Sequence, residues 1–166
     1  MALIKASAFG HLEVVEKLLG DPGIDVNAFS NDNRTALMIA AIYGYAGTVR
    51  ALLKSKSIAV NASKGDKKTA LILAALYCRK EVVGLLLSFA EIDINSADSD
   101  GRTALMHASR KGYEEIVELL LEVAGVDIEV RDFRKRTALS LASDQRHRRV
   151  VGLLKAAKLR TVATRG

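Results

Sequence analysis

The chain has 166 residues, of which 49% are apolar and 27% charged, a length and composition typical of one folded domain. Its single cysteine, Cys78, excludes an internal disulfide and a zinc site made of several cysteines. The longest apolar run covers only residues 70–78 and the first residues lack a secretion signal. We therefore expect no membrane insertion and an intracellular location, cytoplasmic with the nucleus as the alternative.

The net charge of +6 is concentrated at one end of the chain. Residues 1–128 carry 14 basic and 16 acidic side chains, whereas residues 129–166 carry 11 basic and 3 acidic ones. The basic character therefore describes the C-terminal segment. It does not indicate a nucleic-acid surface along the whole molecule.

A period of 34 residues runs through the whole chain. Its clearest mark is a Thr-Ala-Leu start, and the threonines are Thr35, Thr69, Thr103 and Thr137. A first unit keeps the Ala-Leu but has Met1 in the Thr position. We therefore expect a single domain of five units, followed by a frayed tail at residues 158–166. The units are at about residues 1–29, 30–63, 64–97, 98–131 and 132–157.

Within each unit the predicted elements follow in the same order. The Thr is a helix N-cap, and the apolar residues after it have helical spacing, which predicts a first helix. A glycine at Gly10, Gly44 and Gly112 predicts a left-handed end of that helix, with Cys78 and Arg146 as exceptions. A Val-x-x-Leu-Leu pattern predicts a second helix, and a short extended stretch and a turn lead to the next Thr. No unit can bury its apolar face alone, so the units must stack.

The two terminal units differ from the middle ones. Unit one lacks the Thr and the hairpin-like turn, so we expect a stacking face that no earlier unit covers. Unit five has a basic surface, which is typical of a C-terminal capping unit. Its polar residues are Arg146, His147, Arg148, Arg149, Lys155 and Lys158.

In these features the sequence resembles the ankyrin repeat family over essentially its whole length. The family pattern has a Thr-Pro-Leu-His-x-Ala-Ala start, a Gly-His turn, an Ile-Val-x-Leu-Leu-Leu second helix and an Asp-Val-Asn close. Here Ala replaces Pro in every unit, and the His position holds Met38, Ile72, Met106 or Ser140. Apolar packing is expected to replace the polar contact of that His. The resemblance implies an all-α solenoid: a right-angled, L-shaped stack of helix-turn-helix units with hairpin-like turns and a concave groove.

No catalytic motif is present, since the sequence has no P-loop, GxGxxG, HExxH or GxSxG pattern. His11 and His147 occupy a turn position that is structural in the family, while His107 is expected to be exposed on the concave side. Cys78 is expected to be an inert thiol, because no base lies beside it in sequence. An acidic cluster is expected to be a solvated helix face; it comprises Glu114, Glu115, Glu118 and Glu122. We therefore expect no enzyme activity, no cofactor and no metal site.

Two neighbouring positions near the end of each first helix are expected to line the groove, by resemblance to the family. The later position holds Phe9, Tyr43, Tyr77, Lys111 and Gln145 in the five units. The earlier position holds Ala8, Ile42, Leu76, Arg110 and Asp144. The groove is thus apolar and aromatic over units one to three, then charged, and aromatic residues are frequent anchors at interfaces. The alternative is that the rings pack against the neighbouring unit.

A basic residue stands immediately before each Thr. These residues are Arg34, Lys68, Arg102 and Arg136. The spacing predicts a ladder of positive charge along the turn tips, which an acidic peptide or protein surface would complement. Other residues around it are Lys64, Lys67, Arg131, Arg134 and Lys135, with Phe29 and Phe133 between them. The alternative is ordinary solvated loop charge, diluted by Asp32, Asp98 and Asp100.

Together these patterns favour a non-catalytic scaffold that binds an unidentified protein or acidic peptide as a monomer. The expected partner-binding residues are Phe9, Arg34, Ile42, Tyr43, Lys68, Leu76, Tyr77, Arg102, Arg110, Lys111 and Arg136. One alternative is nucleic-acid or nucleotide binding through the basic last unit, which the lack of aromatic residues over 146–160 disfavours. Another is a regulatory or targeting segment of a larger enzyme or channel.

Overall fold

The computed structural model describes residues 1–163, with side chains described through Arg160. Ten helices in five pairs form the regular structure of these residues, and no β-strand occurs among them. The helices are α1 (Ala2–Ala8), α2 (Leu12–Leu19), α3 (Ala36–Tyr43), α4 (Ala46–Leu53), α5 (Ala70–Leu76), α6 (Lys80–Leu87), α7 (Ala104–Lys111), α8 (Glu114–Glu122), α9 (Ala138–Asp144) and α10 (Arg148–Ala163). Each pair lies in one 34-residue unit, so the sequence period is the period of the fold.

The helices form two layers. The first helices α1, α3, α5, α7 and α9 pack against one another in that order, and α2, α4, α6, α8 and α10 do so in the second layer. Within each unit the two helices also pack together. Ten helices stacked in this way confirm the all-α solenoid.

Threonine starts four of the five first helices. The Oγ1 of Thr35 accepts a hydrogen bond from the backbone N–H of Met38 at 3.3 Å. Thr69, Thr103 and Thr137 make the same contact at the same distance. Each hydroxyl thereby satisfies a donor that the first helical turn leaves free, which stabilises a helix by about 1 kcal/mol.

The turn that joins the two helices of a unit contains a residue in the left-handed region. Gly10, Gly44 and Gly112 have φ of 67°, 79° and 73°, as predicted. Cys78 and Arg146 keep the same conformation, with φ of 57° and 61°, although their side chains disfavour it. The backbone therefore keeps the left-handed turn of the repeat even where another residue replaces the glycine.

Replacing Cys78 by Gly is expected to raise the free energy of unfolding by about 1 kcal/mol, because relief of the left-handed strain exceeds the added entropy of the unfolded chain. Cys78 is exposed, so little packing is lost. Urea denaturation followed by circular dichroism measures the change. The control is Lys155→Gly, at an exposed position inside α10, where Gly should instead be destabilising. A destabilised Cys78→Gly variant would contradict the strain argument.

The turns between units are hairpin-like without being strands. In three units one backbone hydrogen bond closes the turn, from Ser30 to Arg34, from Asp98 to Arg102 and from Asp132 to Arg136. Adjacent turns are also joined, since the N–H of Ser99 donates to the carbonyl of Asp66 at 2.9 Å. In the same way the N–H of Phe133 donates to the carbonyl of Asp100 at 3.1 Å. These bonds fix the spacing of neighbouring turn tips.

An asparagine joins the end of one unit to the next. Asn27 donates from Nδ2 to the carbonyl of Ser57 at 2.7 Å and accepts from the N–H of Ala59 at 2.8 Å. Asn61 and Asn95 repeat both contacts in the following units. The amide side chain suits this position because it donates and accepts at once.

Unit one has an uncovered face, as expected. Val14 of α2 is 48% exposed. The matching residues of the other units are at most 1% exposed; they are Thr48, Val82, Ile116 and Val150. A neighbouring unit covers this position everywhere except at the start of the stack.

The predicted frayed tail from residue 158 is wrong for the described residues. Helix α10 continues to Ala163, because apolar residues at helical spacing extend to Ala157, which is buried. An ion pair of 2.8 Å between Lys158 Nζ and Glu129 Oε1 also holds this end of the helix. Residues 164–166 of the predicted tail lie outside the described residues.

Candidate functional site

Three aromatic side chains stand exposed at the ends of the first three first-layer helices. Phe9 is 70% exposed, Tyr43 53% and Tyr77 47%, and each ends or directly follows its helix. They occupy equivalent positions of consecutive units, so they form one row. We call this position and the one before it, taken over all five units, the groove stripe. The alternative, that these rings are packed into the neighbouring unit, does not fit this exposure.

The two apolar residues beside the tyrosines are half-buried. Ile42 and Leu76 each precede a tyrosine and pack partly against the core. They therefore contribute to the stack and leave part of their apolar surface exposed beside the tyrosines.

The groove stripe changes character in unit four. Arg110 and Lys111 are both exposed there, in the positions that Leu76 and Tyr77 hold in unit three. In unit five the same positions hold Asp144 and Gln145, which are also exposed. The predicted sequence of apolar, aromatic and then charged residues is thus present on the surface.

Contacts between units hold the backbone of the stripe. The Nε of Arg79 donates to the carbonyl of Ile42 at 2.8 Å, and the Nε2 of His147 lies 3.1 Å from the carbonyl oxygen of Arg110. Tyr45 takes the corresponding position over Gly10, where an added Cβ would lie 2.9 Å from its ring. His147 therefore has the structural role predicted for it. These contacts make the stripe a pre-ordered surface, which lowers the entropic cost of binding.

The cations before the threonines do not form a free ladder of charge. Arg34 binds Asp66 through two hydrogen bonds of 2.8 Å, and Lys68 binds the same carboxylate at 2.8 Å. Arg102 and Arg136 both reach Oδ2 of Asp132, at 3.4 and 2.7 Å. The predicted ladder of positive charge along the turn tips is thus partly neutralised by Asp66 and Asp132. These cations are half-buried parts of ion pairs, and two of the pairs link neighbouring units.

The two carboxylates were the residues that sequence reasoning missed. The hydrogen bonds from Arg34 lower the pKa of Asp66, with burial acting in the opposite direction. Burial alone would raise the pKa of Asp132, but hydrogen bonds from Arg136 and Arg102 lower it to about 2. Asp132 is only 3% exposed. Spacing alone did not indicate the pair within unit five, because Asp98 and Arg102 are also four residues apart and their side chains pair with other residues.

On the turn of unit five, three cations form no ion pair with any side chain that the structure describes. Phe133 is 79% exposed there, between exposed side chains of Arg131, Arg134 and Lys135. The Nη1 of Arg131 donates to the carbonyl of Lys135 at 3.2 Å. This turn is one part of the positive surface predicted for the C-terminal end, and exposed Arg146, Arg148 and Lys155 are another.

His107 is not the exposed groove residue that the sequence suggested. It is 4% exposed in α7, and its Nε2 lies 2.7 Å from Oδ2 of Asp98, which is also buried. Burial lowers the pKa of His107, although the hydrogen bond to Asp98 opposes this, and Arg102 and Lys68 lower it further. The imidazole is inside the stack because its helix position is an inward one.

The stability of the protein is expected to fall as the pH decreases from 7.5 to 5, and His107→Leu should reduce this fall. The folded pKa of His107 is lowered, so only the unfolded chain takes up its proton below a pKa of about 6.5. The stabilisation is therefore present above that pH and is lost as the pH falls through the folded value. Urea denaturation at several pH values tests this, with His11→Gln as an exposed control. An unchanged pH dependence in His107→Leu would contradict the assignment.

The remaining chemistry of the described residues is sparse. Cys78 is a free, exposed cysteine. Among the side chains that are described, no group of three or more His, Cys, Asp or Glu residues could hold a metal ion. No helix in the described part of the chain is long and apolar enough to cross a membrane. In the acidic cluster of α8, Glu114 pairs with Arg149 and Glu115 with Lys80.

The fold agrees with a comparison to protein families. A family model described as ankyrin repeats (3 copies) matches residues 3–98 and 90–162. The chain belongs to the ankyrin repeat family. Ankyrin repeats are generally protein–protein interaction modules, and the family is typically non-catalytic. No curated protein sequence matches the chain.

This ankyrin repeat protein compensates for the missing His of the family pattern in different ways. Ile72 and Met106 are 1% exposed, which confirms apolar packing at two of the positions. Apolar packing is wrong for Ser140, whose Oγ accepts a hydrogen bond from the N–H of Thr137 at 2.9 Å. Met38 combines apolar packing with a polar contact. It is buried, and its Sδ lies 3.4 Å from the backbone N of Thr35.

Proposed function

We propose that this ankyrin repeat protein is a non-catalytic scaffold that binds a partner protein through the groove stripe. The observation that supports this most directly is the row of exposed aromatic side chains Phe9, Tyr43 and Tyr77 on a rigid surface. Aromatic residues dominate the energetics of many interfaces because they bury a large area at a low cost in conformational entropy. Ile42 and Leu76 would complete the apolar contact.

The turn cations have a smaller role in this proposal than their spacing suggested. Arg34, Lys68, Arg102 and Arg136 are held in ion pairs, and a partner could use them only by competing with Asp66 and Asp132. We propose that they position the turn tips beside the groove. Arg110 and Lys111, which are exposed, are the better candidates for direct contact with a partner.

The double variant Tyr43→Ala/Tyr77→Ala is expected to weaken partner binding by about 100-fold or more, because each ring is a candidate anchor worth roughly 2 kcal/mol. Partners are captured from a nuclease-treated lysate on wild-type protein, identified by mass spectrometry, and their affinities measured by calorimetry. Circular dichroism establishes that the variant is folded.

The matched control is Phe133→Ala, which removes an exposed ring from a turn outside the groove stripe. A partner that binds wild type and Phe133→Ala but not the double variant supports the proposal. Equal binding by all three proteins would contradict it.

A second candidate function is nucleic-acid binding at the turn of unit five. Phe133 lies there among Arg131, Arg134 and Lys135, and such a group can combine base stacking with phosphate contacts. The same capture without nuclease distinguishes the two functions. Retention of nucleic acid that is lost in Phe133→Ala and decreases steeply with salt would favour this candidate.

A further inference from the structure

The groove stripe has a direction, because it is apolar and aromatic in units one to three, basic in unit four, and holds Asp144 and Gln145 in unit five. Three exposed rings occupy units one to three, and exposed Arg110 and Lys111 follow in unit four. The change is abrupt: no basic residue stands at either stripe position in the first three units. A partner of uniform character would therefore match only part of this surface.

The two cations of unit four have no described carboxylate to neutralise them. Other basic residues of the chain do: Arg34 and Lys68 share Asp66, Lys80 pairs with Glu115, and Arg149 pairs with Glu114. Arg110 and Lys111 form no such ion pair among the described side chains, and they lie together in the last turn of α7. The negative end of the helix dipole stabilises positive charge at this place. Their charge thus remains available to an acidic group from outside.

The spacing of the units sets the length of a matching ligand. Packed helices lie about 8–10 Å apart, and an extended chain advances about 3.3 Å per residue, so roughly three partner residues pass each unit. From Phe9 to Lys111 the stripe crosses three unit boundaries, which corresponds to about nine to ten residues of extended chain.

We propose that the groove stripe binds an extended segment of a partner protein that is apolar at one end and acidic at the other. The apolar side chains contact Phe9, Tyr43 and Tyr77, and the acidic ones contact Arg110 and Lys111. This inference rests on the proposed function and specifies the chemical class of the partner.

A single-stranded nucleic acid fits the same surface less well. It carries a phosphate at every nucleotide and therefore needs cations alongside the aromatic residues. Here Ile42 and Leu76 lie beside the tyrosines, and the guanidinium of Arg79 is bound to a backbone carbonyl. Along the stripe, Arg110 and Lys111 come after the three aromatic rings instead of alternating with them.

A random library of 16-residue peptides displayed on phage tests the proposal when it is selected on the full chain. The selected peptides should contain an aromatic or aliphatic cluster and an acidic cluster in one segment, with a constant order between the two. Selection of peptides without acidic residues, or the absence of any selected peptide, would overturn it.

A charge exchange then tests the register of the complex. The variant Arg110→Glu/Lys111→Glu should bind a selected peptide at least about tenfold more weakly. A peptide whose acidic residues are replaced by Lys should reverse this preference. The matched control is Lys54→Glu/Lys56→Glu, which makes the same charge change at exposed positions outside the groove stripe. Equal loss in both variants would overturn the proposal, because it would show only the effect of net charge.

The experiments distinguish a failure of the bipartite segment from a failure of the groove stripe as the binding site. Selected peptides that bind wild type but not Tyr43→Ala/Tyr77→Ala, and that lack acidic residues, would leave the groove as the binding site and refute the bipartite segment. Peptides or nucleic acids that bind independently of these tyrosines would refute both. Sedimentation at high protein concentration identifies the remaining occupant, a second copy of this chain, and a tyrosine-dependent dimer would also refute the segment.

Discussion

Replacing Leu86 by Ala is expected to lower the free energy of unfolding by about 4 kcal/mol. Leu86 lies in α6 of the middle unit and is 0% exposed. Removing three buried carbon atoms leaves a cavity that the helices on both sides cannot fill without moving. Because the helices contact their neighbours along the stack, the loss affects the interfaces on both sides of unit three.

Leu18→Ala provides the matched control for this prediction. Leu18 stands 68 residues, two periods, before Leu86, but it is only partly buried, since no unit covers that side of α2. The same substitution should therefore cost about half as much or less. Urea denaturation of the two variants measures the difference. Equal losses would show that the uncovered face contributes as much stability as a buried interface.

Replacing Asp132 by Ala is expected to destabilise the protein by about 3 kcal/mol, because two half-buried guanidinium groups and two backbone N–H groups lose a buried carboxylate. Asp132 accepts hydrogen bonds from the backbone N–H groups of Arg134 and Arg136 and from the side chains of Arg102 and Arg136. One carboxylate thus closes the turn of unit five and joins it to unit four.

The charge and the shape of Asp132 can be separated with Asp132→Asn. At neutral pH this variant should be less stable than wild type, and the difference should shrink as the pH falls from about 4 towards 2. The folded pKa of about 2 lies below the unfolded one, so the carboxylate stabilises the fold above the unfolded pKa and loses this effect below it. Asp144→Ala, at an exposed carboxylate, is the control. A constant difference over this range would contradict the ion-pair assignment.

The sequence predicted those parts of the fold that depend on residues close together in the chain. Thr35 and its equivalents cap their helices, and the left-handed position occurs even at Cys78 and Arg146, because cap and turn geometry are local. The exposure of Tyr43 and Tyr77 could also be predicted, since the inward positions of each helix follow from its period.

The parts that could not be predicted depend on contacts between units. Arg34 and Asp66 are 32 residues apart, and nothing near either residue in sequence indicates that their turn tips meet. His107 is a different case, because its contact with Asp98 lies within one unit. The equivalent residues Leu73 and Leu141 are buried as well, so the repeat itself marks this helix position as an inward one.

The asparagine contacts have a consequence for how the molecule loses its structure. The side-chain hydrogen bonds that Asn27, Arg34, Asn61, Arg79, Asn95 and His147 make to a neighbouring unit join residues 30 to 37 positions apart. The coupling is therefore between nearest neighbours, as in a one-dimensional chain of interacting elements. Amide hydrogens of α1 and α2, which have a neighbouring unit on one side only, would exchange with solvent ahead of those in the central helices. Unfolding of a terminal unit would remove one interface between units and leave the other interfaces formed.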